Sequence, residues 1–157
     1  MTGRRIAIVG GGYAGTSLAI ELLRHPHLRV TLIERAERPA RGAAYRTAFP
    51  DHLLNVRAEK MSAFADQPTH FADWLKAQGA GDGATFAERR LYGRYLEEAL
   101  QAAIEAAGDR LEIIRDEAVA IDPEDGERIT LASGRTVAAD DAILSVGNLP
   151  PAGEGDP

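Results

Sequence analysis

The chain has 157 residues, of which 45% are hydrophobic and 27% are charged, so one globular domain can bury roughly two-thirds of its unfolded surface. Its formal net charge of -6 disfavours nucleic acid and anionic membranes as partners. Cysteine is absent and the four histidines lack metal-ligand spacing, so we expect no disulfide and no metal site, and any redox chemistry requires a bound cofactor.

Hydropathy predicts no membrane span, because no apolar run approaches the ~20 residues that cross a bilayer. The first residues lead directly into an apolar strand and do not resemble a cleavable signal. We therefore expect a cytoplasmic protein.

The N-terminal segment has the pattern of a βαβ unit. Apolar runs at 4–9 and 30–33 predict two buried strands, and residues 15–24 between them predict a helix. The unit spans ~30 residues, the length expected for two parallel strands joined by a helix.

Three glycines follow the first strand with the spacing of a dinucleotide-binding loop. Gly10 permits the tight turn, Gly12 lets a pyrophosphate approach bare backbone, and Gly15 lets the helix pack close to the strand. The helix N-terminus offers free N–H groups and a positive dipole end to an anion. Tyr13 and Ala14 stand where a Walker loop would have more spacer before its lysine, so a nucleoside triphosphate is a poor fit.

Glu34 ends the second predicted strand, about 20 residues after the last glycine, where a carboxylate accepts hydrogen bonds from a ribose diol. The same acid would repel a 2′-phosphate, a preference that Arg35 and Arg38 could reverse. In the alternative interpretation, residues 10–15 form only a tight turn, and Glu34 and the two arginines are solvated charges.

The middle of the chain departs from a simple dinucleotide fold. Residues 36–66 predict a long loop of mixed character, and structureless stretches of this length in compact domains commonly serve a function. A helix is predicted from Asp66 to Gly79, and a longer amphipathic helix at 91–104 is ended by Gly108.

The last third of the chain is rich in predicted strands. They lie at 111–114 and 118–121, followed by a hairpin with arms 128–131 and 136–138. Residues 142–146 form an apolar strand that we expect to be covered on both faces within a parallel sheet. The sequence therefore predicts an α/β fold in which an antiparallel β-meander, inserted into a parallel sheet with helices, replaces the second crossover helix.

Six blocks of the sequence carry a likeness to a known family, and they are residues 6–15 with Glu34, 41–45, 52–56 with 60–62, 71–75, 90–93 and 143–148. Through them the chain resembles the FAD/NAD(P)-binding protein family, the N-terminal FAD-binding part of two-dinucleotide-binding-domain flavoproteins with a Rossmann-like fold. It is more distantly similar to flavin-dependent N-hydroxylating monooxygenases. The likeness spans nearly the whole sequence.

The resemblance implies that FAD is the cofactor, with its pyrophosphate at residues 10–15 and its adenosine ribose at Glu34. It implies that the loop over residues 42–62 passes the flavin ring, where small residues and backbone donors suit a planar group. Asn55 can bond the ring edge, although a turn residue bonding its own backbone is an equal alternative. Val119 matches the position at which such proteins contact the adenine edge through main-chain atoms. The implied cofactor-binding residues are Gly10, Gly12, Tyr13, Ala14, Gly15, Glu34, Arg35, Gly42, Tyr45, Asn55, Met61, Ser62, Val119 and Gly147.

The resemblance also implies a FAD/NAD(P)-binding domain at 1–148 that is incomplete by comparison with such flavoproteins, and a Pro/Gly-rich tail or linker at 149–157. We expect the FAD-binding portion of an oxidoreductase, with monooxygenases as one subclass, that uses NAD(P)H as co-substrate and acts on a small-molecule substrate. No catalytic side chain is identified. The alternatives are an NAD-binding dehydrogenase domain, which the meander and long loop oppose, and a non-catalytic dinucleotide-binding or interaction domain.

Overall fold

The computed structural model describes residues 3–123 and 127–148, which form three layers. The strands are β1 (Arg4–Val9), β2 (Leu28–Ile33), β3 (Leu111–Ile114), β4 (Ala118–Asp122), β5 (Glu127–Leu131), β6 (Thr136–Ala139) and β7 (Asp141–Leu144). The helices are α1 (Tyr13–Leu23), α2 (Gly42–Tyr45), α3 (His70–Ala77) and α4 (Arg89–Ala107). A parallel sheet in the order β3-β2-β1-β7 lies between the helices and an antiparallel sheet in the order β4-β5-β6.

Strand β1 supplies side chains to both faces of the central sheet, because successive residues of a strand point to opposite sides. Ile6 and Ile8 belong to the core shared with the helices. Ala7 and Val9 belong to the core shared with the antiparallel sheet. The uniformly apolar sequence of this strand therefore reflects burial on two faces.

The helical layer is built around aromatic side chains of α3 and α4. Phe71, Tyr92 and Tyr95 are almost wholly buried. The Phe71 ring lies 4.9 Å from the Tyr92 ring and 5.0 Å from the Tyr95 ring between centroids. The Tyr95 hydroxyl lies 2.9 Å from Nδ1 of His70, so its polar end has a partner inside the layer. These contacts fix α4 firmly against the rest of the helical layer.

The antiparallel sheet covers the other face of the parallel sheet. Ile129, Leu131 and Val137 are buried there and share a core with Ile33 of β2 and Ile114 of β3. Because β5 and β6 bury alternate residues, each supplies one apolar face to this core. The predicted α/β fold, with a parallel sheet and an inserted antiparallel meander, is confirmed.

The long segment after β2 contains more regular structure than the sequence predicts. It includes the four-residue helix α2 and a 3₁₀ turn at Ala58–Lys60. Leu53 also pairs with Glu88 through an isolated antiparallel bridge. Helix α1 begins at Tyr13, two residues before the predicted start, and α3 begins at His70 after the predicted start.

Strand β7 differs from its predicted environment. Its sequence predicts cover on both faces, but Leu144 is 64% exposed and the other three residues are only partly buried. The reason is its position, because β7 pairs with β1 and is the edge of the described sheet. The expectation of full burial was therefore wrong for the described residues.

Among the described residues, no helix combines the length and apolar character needed to cross a bilayer. The predicted tail or linker at 149–157 lies outside the described residues.

We expect Gly15→Ala to lower the free energy of unfolding by about 3 kcal/mol or more, the upper part of the range for overpacking. The reason is that a Cβ atom at Gly15 would lie 1.8 Å from the Gly10 carbonyl oxygen. Urea denaturation measures the change. Ser17→Ala is the control, because the buried Ser17 hydroxyl has no hydrogen-bond partner within the described residues and its loss should be neutral or stabilising. Equal stability of the two variants would contradict the close packing.

Candidate functional site

The turn that joins β1 to α1 requires glycine at its first position. Gly10 has a φ of 102°, in the region that side chains disfavour. A Cβ atom there would also lie 2.3 Å from the carbonyl oxygen of Ser145. The Gly10 N–H donates to the Ile33 carbonyl at 2.8 Å, so the turn is tied to the end of β2. The segment over residues 10–15 is called the glycine loop below.

The first turn of α1 presents bare backbone. Gly12 is its N-cap, and no side chain caps this end of the helix. A Cβ atom built on Gly12 would meet its nearest neighbour, the Gly42 Cα, at the ordinary contact distance of 3.4 Å. The backbone at this position therefore does not by itself require a glycine. Free N–H groups and the helix dipole at such an end stabilise an anion. The first turn of α1, from Gly12 to Gly15, is called the cradle below. It therefore fits a phosphate or diphosphate.

Gly11 joins three parts of the structure through its own backbone. Its N–H donates to Glu34 Oε2 at 2.7 Å. Its carbonyl accepts the N–H of Ala40 at 2.6 Å and the hydroxyl of Thr16 at 3.0 Å. The glycine loop is thus held from the end of β2, from the segment before α2 and from α1 itself.

Glu34 lies at the end of β2 with its carboxylate directed to backbone donors. One oxygen accepts the Gly11 N–H, and the other accepts the Ala36 N–H at 2.7 Å. Glu34 is therefore not the simply solvated charge of the alternative interpretation. A carboxylate has about four lone-pair sites, so the partly exposed group keeps capacity for a further donor. Its assignment to a ribose stays a prediction.

Gly42 and Tyr45 of α2 lie opposite the glycine loop. Gly42 has a φ of 57°, and a Cβ built on it would lie 3.3 Å from Gly12 Cα. The Tyr45 ring packs against Tyr92 at 4.7 Å and against Tyr13 at 6.1 Å between centroids. Burial raises the pKa of both Tyr45 and Tyr92, so their hydroxyls stay neutral at physiological pH. Helix α2 therefore contacts the entrance to α1 directly.

Other predicted site residues lie around the carboxyl ends of the strands. Ser145 follows β7 and its N–H donates to the Val9 carbonyl at 2.7 Å, which places the segment leading to Gly147 beside β1. Gly147 is exposed and has a φ of 70°. Arg35 is exposed, and its guanidinium lies 3.4 Å from the Glu117 carboxylate just before β4.

Val119 on β4 is 58% exposed, so its side chain is available at the surface of the meander. Its expected contact with an adenine edge runs through main-chain atoms, which the side chain does not test. Ala14 is exposed in the first turn of α1, beside Tyr13. Both assignments stay predictions.

The three predicted residues from the long loop have different surroundings. Asn55 is exposed. Met61 packs against the core shared with the helices. The Ser62 hydroxyl donates to the Gln67 carbonyl at 2.6 Å and accepts the Phe64 N–H at 3.1 Å, so it closes a local turn. Their expected approach to a flavin ring stays a prediction.

Sequence reasoning assigned no role to the residues that hold α2. Arg41 donates from Nε and Nη2 to the two carboxylate oxygens of Glu97 on α4, both at 2.7 Å. On the same helix, a Cβ atom at Gly93 would lie 2.5 Å from the Tyr45 carbonyl oxygen. A glycine inside an otherwise strongly helical stretch was the available signal of this close approach. The ion pair joins residues far apart in sequence and left no such signal.

The fold and the site together define an α/β protein with a dinucleotide-binding loop of the Rossmann type. A family model described as FAD-NAD(P)-binding matches residues 7–149, which is most of the chain. The chain therefore belongs to the FAD-NAD(P)-binding family. The resemblance found in the sequence is confirmed.

Solved structures of three proteins share this fold. S-allyl-L-cysteine S-oxygenase from Allium sativum is 22% identical over 90% of this chain and 36% of its own, with a TM-score of 0.65. Cyclohexanone monooxygenase in its closed form is 19% identical over 96% of this chain and 28% of its own, with a TM-score of 0.65. A Diels-Alderase in the biosynthetic pathway of pyrroindomycins is 19% identical over 91% of this chain and 32% of its own, with a TM-score of 0.60.

The similarity to these proteins concerns the fold. The chain spans 28% to 36% of the length of these three structures. No curated protein matches it in sequence. Membership of the FAD-NAD(P)-binding family supports binding of a dinucleotide cofactor.

We expect Glu34→Gln to lower the free energy of unfolding by about 1 to 3 kcal/mol, even without a ligand. The carboxylate accepts two backbone N–H groups, whereas an amide would turn its NH₂ group toward one of them. Urea denaturation measures the loss. Glu112→Gln on β3 is the control, because its ion pair with Arg135 is 53% exposed on both sides and contributes little. A loss no larger than that of the control would return Glu34 to the role of a solvated charge.

Proposed function

We propose that this chain forms the FAD-binding portion of a flavin- and NAD(P)H-dependent oxidoreductase, monooxygenases being one subclass. The observation that carries the proposal is the combination of two features. One is the bare glycine loop, and the other is the antiparallel meander on the face of the parallel sheet that the helices do not cover. The first feature suits any dinucleotide. The second replaces the helix that a simple doubly wound nicotinamide-binding domain would have there. Membership of the FAD-NAD(P)-binding family supports the proposal.

The residues of the cradle fit the adenosine diphosphate half of FAD. In the proposal, the N–H groups of the first α1 turn bind the pyrophosphate, and Glu34 accepts a hydrogen bond from the ribose. Gly12 and Gly42 let α2 approach the first turn of α1 closely, because a side chain on either would meet the backbone of the other. Arg35 and Val119 lie toward the meander, on the side assigned to adenine.

The loop over residues 42–62 is assigned to the flavin ring. The one-turn helix α2 carries Ala43 and Ala44, which are small and exposed, so a planar group can approach their backbone. When bound, the flavin supplies hydride or electron transfer, and this chain binds and orients it and limits its access to water. NAD(P)H as co-substrate and a small organic molecule as substrate belong to the proposal for the whole protein.

Two other functions remain candidates for direct comparison. An NAD-binding dehydrogenase domain would use the same glycine loop, but the meander in place of a crossover helix opposes it. A non-catalytic dinucleotide-binding domain would keep the cradle without redox chemistry. Titration with FAD, NADH and NADPH separates the proposed function from an NAD-binding domain, because only the proposed function requires a preference for FAD.

We expect Gly12→Val to raise the dissociation constant for FAD by about tenfold or more, with a change in unfolding free energy of about 1 kcal/mol at most. In the proposal, the valine would cover the N–H groups that bind the pyrophosphate, and its Cβ would meet Gly42 at ordinary contact distance. Gly83→Val is a matched control, because its φ is also not positive and its Cβ would also meet its nearest neighbour at 3.4 Å, far from the cradle in sequence. Calorimetric titration and thermal melting measure both properties. Equal losses of FAD binding in the two variants would reject the assignment of the pyrophosphate to the cradle.

We also expect ADP to bind nearly as well as FAD, within about tenfold, and FMN to bind far more weakly than either. The cradle and Glu34 offer contacts to the adenosine diphosphate half, whereas the flavin half meets only the loop of α2. Competition titrations with the three ligands measure this order. Tight binding of FMN would place the recognition on the ring instead.

A further inference from the structure

We infer that Arg41 and Glu97 are positioning residues, whose ion pair holds α2 against α4 and thereby sets the width of the anion cradle at the first turn of α1. The inference rests on the proposed function for the identity of the ligand. The placement of α2 itself is independent of that function.

Helix α2 is too small to hold its own position. It has four residues, none of them buried, and no side chain caps its N-terminus. One side of it is open, because Ala43 and Ala44 are exposed and line a cleft of about 470 Å³. A few specific contacts must therefore fix α2.

The Arg41–Glu97 pair is a polar contact between the start of α2 and α4. The two side chains are 17% and 28% exposed and share two hydrogen bonds, a geometry in which a guanidinium and a carboxylate interact strongly. These bonds to Glu97 raise the pKa of Arg41, so the guanidinium stays charged. The Arg94–Glu98 pair on the same helix is 52% and 47% exposed and has a single ion-pair hydrogen bond, so it contributes less.

The pair acts together with a close backbone approach one helical turn earlier. Gly93 precedes Glu97 by four residues, so the two positions lie on one face of α4. A Cβ atom at Gly93 would lie 2.5 Å from the Tyr45 carbonyl oxygen and 3.2 Å from Arg41 Cγ. Both ends of α2 therefore contact the same face of α4.

The other side of α2 touches the cradle. A Cβ on Gly42 would lie 3.3 Å from Gly12 Cα and 3.5 Å from the Tyr13 nitrogen. Ala40, immediately before Arg41, donates its N–H to the Gly11 carbonyl at 2.6 Å. A shift of α2 away from α4 would therefore change the space in front of the N–H groups that face the anion.

The experiment compares Arg41→Gln and Glu97→Gln with the matched control Arg94→Gln. We expect each of the first two variants to raise the dissociation constants for FAD and for ADP about threefold to tenfold, and the control to leave both within about twofold. Arg41→Lys keeps the charge but loses the paired geometry, so its effect should be intermediate. The Arg41→Gln/Glu97→Gln double variant should lose no more than the worse single variant, because both remove one interaction.

A direct contact between Arg41 and the phosphates is the competing explanation. In that case Glu97→Gln would release the guanidinium and would preserve or tighten FAD binding while Arg41→Gln weakened it, and the inference would be overturned. It would also be overturned if both variants matched the control.

Amide hydrogen exchange in the ligand-free protein gives a readout that does not depend on the cofactor. We expect the Ala40 amide to exchange at least about threefold faster in Arg41→Gln and Glu97→Gln than in Arg94→Gln, because its bond to Gly11 loses support. If the unmodified chain binds neither FAD nor ADP, the proposed function fails. The Ala40 exchange rate then still decides whether the pair positions α2, and unchanged exchange in both variants would reject it.

Discussion

The close contact between the first turn of α1 and the end of β1 determines the position of every other part of the site. Gly15 has to lack a side chain, because its Cα passes the Gly10 carbonyl with no room for a Cβ. This contact directs the N-terminus of α1 to the carboxyl edge of the parallel sheet, where Glu34 follows β2 and Ser145 follows β7. The helix end therefore lies beside groups that follow three strands.

The two faces of the central sheet explain why the fold needs both kinds of cover. Ile8 and Leu32 require the helices, and Ala7, Val9 and Ile33 require an apolar partner on the opposite side. In this chain the partner is the meander, whose small sheet buries Ile129 and Leu131. Because the meander returns the chain to β7, it also places Ser145 next to Gly10 of the glycine loop. The topology thus joins a packing requirement to the construction of the site.

Local patterns were sufficient to predict most of the fold. The apolar runs gave β1 and β2, the helical spacing gave α4, and the turn at residues 132–135 gave the hairpin of β5 and β6. The misjudged environment of β7 has a different origin, since edge or central position depends on which strands pair and not on the strand's own residues. Helix α2 was missed because four residues contain too little periodicity to reveal a helix.

The site was predictable to the extent that its residues are contiguous or belong to a known spacing. The glycine loop and Glu34 satisfy this condition, whereas the bonds of Gly11 to Ala40 and of Arg41 to Glu97 depend on tertiary placement. Those long-range bonds also decide the electrostatics of the cradle. Glu34 is engaged by two N–H groups, and the flanking Arg35 and Arg41 each face a carboxylate. In the proposed function, the attraction for a diphosphate therefore comes mainly from oriented backbone N–H groups and the α1 dipole, which the surrounding bonds hold in place before any ligand arrives.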